Sequence, residues 1–509
     1  MSRRLRLSPP LSACVLSACL LARPLPAQQP PETQNPVQAP SGDVVTTFKA
    51  SANLVLVPVV VRDKHGKHIP GLGKATFRLE ENGKEQEIST FEEVYPPAGE
   101  PAERSVDLGY SNLPFDDAHQ LRLTIIVLDL LNTSPLQRTD GVEQIAKFLN
   151  KGLAQNQPVS LLCITGKGLQ LVHPFTSDTK RLVEALKKMP TGPPRVMPAR
   201  DAAQTTLRQF KEIAQAYGGI PGRKTMIFAA GNTPELVPEN SVLESGILAG
   251  DIREMWRNLA ESNISVYPIQ LLASAVDPAF RTRRDVDSAT SLRLFADATG
   301  GNRCIETNEM MSCLAQAVED SRSYYMLGFI VRPNDRKPGW RNLNVKVGME
   351  HVDVHARTGF YYGDSEAPTP KSIHDSEINA LASSLAYSGV PMYVRVLPPS
   401  SDAHSARTTT VEFLVTIPFN SIRIDHATAN SLDLELGAIA LTRDTREAGE
   451  FLHPVRGNPK PEALTQLARD GLKVREKLDL PPGYYDVRFM TRDNNSAKIG
   501  TVVFPLDVK

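Results

Sequence analysis

From Leu121 to about residue 300 the chain alternates apolar, strand-like runs with amphipathic, helix-like ones, and this alternation constrains the fold most. The runs LTIIVLDL, VSLLCIT, KTMIFAA and ISVYPIQLL are apolar at successive positions, so strands made from them must be buried on both faces. Between and after them lie TDGVEQIAKFLNKGL, DTKRLVEALKKM, ARDAAQTTLRQFKEIAQAY, DIREMWRNLAESN and SLRLFADATG. Each of these places its apolar residues at helical spacing. Doubly buried strands joined by amphipathic helices predict a doubly wound α/β domain, with a mostly parallel sheet covered on both sides. Thr139-Asp140, Ser177-Asp178 and Asp251 mark helix starts, and Gly300-Gly301 marks a helix end.

The rest of the chain reads differently. A chain of 509 residues exceeds one core, and length alone suggests roughly three domains. The stretch NLVLVPVVVRDKHGKHIPGLGKATFRLEENGKEQEISTFEEV shows β-rich runs separated by Asp-Lys-His-Gly and Glu-Asn-Gly turns. After MMSCLAQAVEDSR the β pattern returns in SYYMLGFIV, RNLNVKV and VDVHARTGFYY. Neither β region, at residues 47–98 and 323–363, has enough strands to stand alone. Residues 99–118 and 364–372 read as linkers. Residues 373–509 repeat β runs with Pro-Pro-Gly and Asp-Asn-Asn turns, and predict a second, immunoglobulin-like sandwich. The helix-like stretch DSEINALASSLAYS is expected to cover one edge of it.

The N-terminus carries a targeting pattern. A positive segment, MSRRLRLSPP, precedes the short apolar stretch LSACVLSACLLA and a small-residue site at Ala27, so residues 1–27 read as a secretory signal peptide. Leu16-Ser17-Ala18-Cys19 also fits a lipobox, which makes Cys19 a candidate for lipidation. Residues 28–46, rich in Pro, Gln, Thr and Ser, read as a disordered tether. No later run reaches the ~18 apolar residues of a membrane span. The expected location is therefore outside the cytoplasm: periplasm, cell surface or medium. The remaining cysteines are Cys163, in a strand-like run, and Cys304 and Cys313, which are candidates for a disulfide in an oxidising compartment.

Charge argues against nucleic acid as the main partner, because 57 basic residues balance 57 acidic ones. Enzyme signatures are scarce. GGIPGRKT precedes a strand, whereas a phosphate loop follows one, so it reads as a tight αβ loop. His351 and His355 on a strand would lie ~13 Å apart, too far to share a metal. Neither a Gly-x-Ser-x-Gly elbow nor a His-Glu-x-x-His helix is present. No catalytic residues are therefore assigned. Asp129 is the stronger candidate for chemistry. It ends the run IIVLD at the carboxyl edge of the predicted sheet, where ligands collect, with Asn132, Thr133 and Ser134 in the following loop. A carboxylate with hydroxyls offers hard oxygen ligands suited to Mg²⁺ or Ca²⁺.

Several segments then resemble a known family. LVLVPVVVRDKHGKHIPGL, FRLEENGKEQEISTFEEV, HPFTSDTKRLVEAL, GRKTMIF, ISVYPI, LFADATGG and SYYMLGF, in that order, are similar to the VWFA-related domain of exported acidobacterial proteins. The resemblance covers roughly residues 50–362 and implies a Rossmann-like von Willebrand factor type A domain over 119–322. In several members of the wider group that domain is inserted into a β-sandwich, so residues 47–98 and 323–363 are expected to form one discontinuous sandwich around it. It also implies protein recognition, often through a metal-ion-dependent adhesion site. In the family that site has Asp-x-Ser-x-Ser, a threonine on a second loop and an aspartate after the fourth strand. Here Asp129 matches the aspartate, Thr133 stands at the second serine, and Thr191 is the candidate threonine. Leu131 and Ala230, however, stand where the first serine and the later aspartate belong. The resemblance therefore implies a degenerate site, with Asn132, Ser134 and Asn232 on its rim and at most weak Mg²⁺ or Ca²⁺ binding. The leading expectation is a non-catalytic, extracytoplasmic protein-binding molecule of adhesion type. The alternatives are a metal-independent scaffold of an envelope complex and, lower still, a hydrolase with an unrecognised site.

Overall fold

The computed structural model describes residues 54–95, 109–114, 123–153, 157–189, 197–231, 233, 249–271, 283–305, 310–332, 338–363, 369–398, 408–425 and 431–509. The chain divides into Met1–Ala50 and Ser51–Lys509, and everything below concerns the second unit. The signal peptide at 1–27, the tether at 28–46, Cys19, Thr191 and Asn232 lie outside the described residues.

Four strands come first: β1 (Leu54–Arg62), β2 (Phe77–Glu81), β3 (Lys84–Gln86) and β4 (Thr90–Val94). A two-residue strand, β5 (Tyr110–Ser111), follows. The alternating region begins with β6 (Leu123–Asp129), α1 (Pro135–Lys151), β7 (Val159–Thr165), β8 (Gly168–Thr176), α2 (Thr179–Lys187) and α3 (Ala199–Tyr217). It continues with β9 (Lys224–Ala230), α4 (Ala249–Glu261), β10 (Ile264–Gln270), α5 (Arg283–Thr299) and α6 (Met310–Arg322). Next come β11 (Tyr324–Ile330), β12 (Gly339–Val347), β13 (Asp353–Ala356) and β14 (Gly359–Tyr362). The last region holds α7 (Pro370–Ala382), β15 (Tyr393–Val396), β16 (Thr409–Ile417), β17 (Leu432–Thr442), β18 (Glu447–Gly457), α8 (Pro461–Asp470), β19 (Leu472–Leu480), β20 (Gly483–Asp493) and β21 (Lys498–Val508).

The alternating region forms a sheet in the order β10-β9-β6-β7-β8, parallel except for the edge strand β8. Successive side chains leave a strand on opposite faces, so each strand feeds two cores. Ile125, Val127, Phe228 and Val266 pack with Phe210 of α3, Trp256 of α4 and Phe295 of α5. Ile126, Leu128, Ile227 and Tyr267 pack with Phe148 of α1, Leu182 of α2 and Leu314 of α6. The strands read as continuously apolar because helices cover both faces. Past β10, Cys304 makes a parallel bridge to Ile269 and is joined by a disulfide to Cys313 at the start of α6. Helix α1 starts earlier than Thr139-Asp140 predicts, because Ser134 and Gln137 form a reciprocal capping box just before it. Asp178 caps α2 as read from sequence, accepting from the amides of Lys180 and Arg181.

Two four-stranded sheets, β13-β1-β11-β4 and β14-β12-β2-β3, face each other over Val57, Val59, Val61, Leu79, Tyr325, Leu327 and Phe329. This sandwich combines strands from both sides of the α/β body, and β1 pairs antiparallel with β11 from Leu54↔Ile330 to Val59↔Tyr325. A buried polar cluster stitches body to sandwich. The Arg223 guanidinium donates to Ser265 Oγ (3.1 Å), Tyr267 Oη (2.8 Å), the Gly300 carbonyl (3.1 Å) and the Asp320 carbonyl. Tyr267 Oη donates to Asp320 Oδ2 (2.8 Å), Arg62 of β1 reaches Asp320 Oδ1 at 3.6 Å, and Tyr324 Oη accepts from the Arg223 amide.

A second pair of sheets, β19-β16-β15-β5 and β18-β17-β20-β21, encloses Val394, Phe413, Leu436, Phe489 and Phe504. Two expectations need correction. Part of the linker expected at 99–118 is structural: β5 pairs with β15, and Asn112 is buried. Its amide donates to the carbonyls of Tyr387 (2.6 Å) and Val390 (2.8 Å), and its oxygen accepts from Met392 N (3.0 Å). The helix-like stretch expected over 375–388 does lie against the sandwich, where Arg492 and Arg488 of β20 bond to Ser376 and the Leu381 carbonyl, but α7 ends at Ala382 and the chain then runs as a strap along α3. Ala380, Leu385 and Tyr387 share a core with α3, and Ser388 bonds to the Ala216 carbonyl and the Gly219 amide. Gly219 must lack a side chain, since a Cβ there would lie 1.6 Å from the Ser388 carbonyl oxygen.

Candidate functional site

Strand β6 delivers Asp129 to the carboxyl edge of the sheet, between β7 and β9. The loop that follows folds back over it. Asp129 Oδ1 accepts from the amides of Leu131 and Asn132, both at 3.0 Å, and Oδ2 accepts from Asn132 Nδ2 at 2.7 Å. Asn132 Nδ2 also donates to Thr206 Oγ1 of α3 at 3.1 Å, which ties the loop to a neighbouring helix. Thr133 Oγ1 donates to the Asp129 carbonyl and accepts from Gly231 N at 2.9 Å. Ser134 caps α1, and Gln137 Nε2 reaches across to the Leu271 carbonyl at 2.8 Å.

Of the residues read from sequence as a site, Asp129, Asn132, Thr133 and Ser134 gather at this one loop, while Thr191 and Asn232 lie outside the described residues. Asp129 is 1% exposed, and Leu131 turns into the core beside α3. Ala230 is fully buried and offers only its carbonyl, which accepts from Leu271 N. As folded, these donors do not fit a divalent cation. Mg²⁺ wants near-octahedral oxygen ligands, yet the carboxylate already accepts three hydrogen bonds and the Thr133 hydroxyl is committed on both sides.

Sequence reasoning missed Gly231, Thr206, Gln137 and Arg138. Gly231 sits where a Cβ would lie 2.4 Å from Gln137 Oε1. Arg138, 7% exposed, donates Nε to the Thr133 carbonyl at 3.0 Å and Nη2 to the Leu130 carbonyl. A signal existed: an arginine one turn into the helix after Asp129, on the face that must meet the sheet. Burial pushes the Asp129 carboxyl up to about 6, while the Asn132 and Leu131 donors and the Arg138 charge pull it back.

A cavity of about 420 Å³ lies elsewhere, between β8 and α2, lined by Cys163, His173, Arg181, Glu184 and Lys188 among others. Burial pushes the Cys163 thiol up to about 11, and His173 Nδ1 is bonded to the Pro174 carbonyl at 2.7 Å.

Among the described residues no helix is long and apolar enough to cross a membrane. No family model matches the chain. No curated protein matches it either. Among solved structures it is similar to an aerotolerance-related membrane protein from Bacteroides fragilis carrying multiple mutations to serine. That likeness has 16% identity, covers 39% of this chain and 98% of that one, and has a TM-score of 0.26. It is also similar to proximal thread matrix protein 1 from the mussel byssus, at 13% identity over 40% of this chain and 48% of that one, with a TM-score of 0.26. The match spans about half the length of the mussel protein.

Proposed function

We propose that this chain is an exported, non-catalytic protein-binding molecule whose α/β body is a von Willebrand factor type A-like domain with a degenerate adhesion site. In this reading the flanking strands form its host sandwich and the C-terminal sandwich is immunoglobulin-like. One observation carries the reading: Asp129, Asn132, Thr133 and Ser134 meet at the carboxyl end of the middle strand, where open α/β sheets bind ligands, in a loop closed by its own bonds. Binding there uses the protein surface and needs no shared metal. The partner is a protein, its identity open. The test is capture of partners from an envelope extract on the immobilised chain, with Mg²⁺ or with chelator. The same partners should be retained under both conditions and lost when the exposed rim residue Ser134 is changed to Arg. Retention that requires Mg²⁺ and Asp129 would replace this reading with metal-mediated adhesion.

A scaffold role is the second reading, and the fused architecture favours it: Arg223 and Ser388 lock both sandwiches onto the α/β body. A chain that sediments within one defined envelope complex, unaffected by Ser134→Arg, would support it.

A further inference from the structure

Strand β10 lies at the margin of the α/β sheet, and its outer edge must be satisfied. Alternate residues turn their backbone groups away from β9, where an open strand invites pairing with another chain. The chain that follows α5 closes this edge. The Val266 amide donates to Thr299 Oγ1 at 2.8 Å, and a Cβ on Gly301 would meet the Val266 carbonyl oxygen at 1.8 Å. Further along, the Cys304 amide donates to the Pro268 carbonyl at 3.1 Å, and the Cys304 carbonyl accepts from Gln270 N at 3.4 Å. Thr299 is held within α5, and the Gly301 amide donates to the Ala296 carbonyl at 3.0 Å. Cys304 lies past both anchors. Besides the exposed Arg303–Asp297 ion pair next to it, its disulfide to Cys313 fixes it, on a helix whose Leu314, Ala317 and Val318 sit in the core.

The same strand end reaches the loop beside Asp129. Directly after Gln270, the Leu271 carbonyl accepts from Gln137 Nε2 at 2.8 Å, and Gln137 Oε1 accepts from the Ser134 amide at 3.0 Å. Gln137 is buried, and Gly231 faces its Oε1 where no Cβ would fit, so this side chain has little freedom to move. Bridge, strand end, Gln137 and the Ser134 rim thus form one continuous run of bonds.

We propose that the Cys304–Cys313 bridge is a redox lock on this face. Oxidised, it pins the end of β10 and, through Gln137, the Ser134 rim; reduced, it releases both. Its bearing on partner binding rests on the reading of that rim as the binding face, whereas the lock itself does not. A dithiol reductant supplies the two electrons. The S–S bond breaks, Cys304 and Cys313 each take up a proton as thiols, and the reductant closes into its own disulfide. Cys304 is 3% exposed and Cys313 half-buried, so attack falls on the Cys313 sulfur and Cys304 leaves.

Amide hydrogen exchange on the full chain, with and without dithiothreitol, tests this. The Gln270 and Ser134 amides report the strand end and the rim, while amides at the centre of β6 report global unfolding. Reduction should speed exchange at Gln270 and Ser134 at least about tenfold more than at β6. A chain carrying Cys304→Ser and Cys313→Ser should match the reduced one without reductant. A rise confined to Gln270 overturns the inference, because the rim is then independent of the bridge. Equal rises at all these amides also overturn it, leaving the bridge a stability element only. Should the double variant fail to fold, the reduced unaltered chain decides, and its unfolding would exclude the lock. Partner capture is read separately: an exchange response at both reporters, with capture indifferent to Ser134→Arg, retains the lock and removes the binding reading.

Discussion

The Arg223 cluster predicts that the α/β body and its host sandwich share their stability. Consider Arg223→Met, which keeps the volume of the side chain and removes its charge. Arg223 is 1% exposed, and its guanidinium makes four hydrogen bonds, to Ser265, Tyr267, Gly300 and Asp320. Removing one partner from a buried charged network costs about 3–5 kcal/mol, because the groups left behind stay desolvated. Asp320 retains Arg62 at 3.6 Å, Tyr267 Oη at 2.8 Å and Gln316 Nε2 at 2.9 Å, so the low end, about 3 kcal/mol, is expected. Tyr267→Phe removes one link between the same charges and should cost about 1–2 kcal/mol. Urea unfolding can be read at two places, since the chain has two tryptophans: Trp256 on α4 of the body and Trp340 on β12 of the sandwich. Single-tryptophan versions should show both transitions moving together when Arg223 is replaced. A loss below about 1 kcal/mol, or a Trp340 transition that stays in place, would refute the reasoning.

Three further outcomes follow from other sites. Asp129 has its folded-state pKa raised to about 6 from the ordinary ~3.9, so its contribution to stability is fully present below pH ~4 and lost as pH rises through 6. The stability difference between the unaltered chain and Asp129→Asn should therefore fall by about 3 kcal/mol over that window and level off above it; a difference independent of pH would sink the argument. Gly219→Ala places a methyl against the Ser388 backbone and should cost at least about 1–3 kcal/mol while opening the 383–390 strap to protease, and an unchanged digestion pattern would exclude the steric reading. Reducing the Cys304–Cys313 bridge, or changing both cysteines to Ser, should lower stability by about 2–3 kcal/mol for so short a loop, measured as a matched pair of urea curves with and without reductant.

What could be read in the sequence and what could not differ in kind. The α/β body was legible because strands such as LTIIVLD and KTMIFAA are buried on both faces, and such burial leaves a continuous apolar signature. Strand counting, joined to the family resemblance, brought residues 54–94 and 324–362 into one sandwich, since each group is too small alone. Strand β5 was not legible. It has two residues within a Pro- and Gly-rich stretch, and what fixes it is the Asn112 amide meeting carbonyls far along the chain. The same holds at the site. The position of Asp129 followed from the pattern, but the direction of the Asn132, Thr133 and Arg138 side chains depends on Thr206, Gly231 and the loop carbonyls, which periodicity does not encode.

The register of β1 against β11 also bears on how the molecule assembles. β1 is synthesised long before its partner, and the whole α/β body is made in between. Pairing across so large a separation is slow unless the intervening chain first becomes compact. The body provides that: Leu123 at its start pairs with Lys224, and Tyr324 just past its end bonds to Arg223, so both exits open on one edge of the sheet. A folded body thus turns a distant encounter into a near one, and the host sandwich condenses around a template already in place. Pulsed hydrogen exchange during refolding should protect the amides of β6 and β9 before those of β1, and the reverse order would mean that the sandwich is the nucleus.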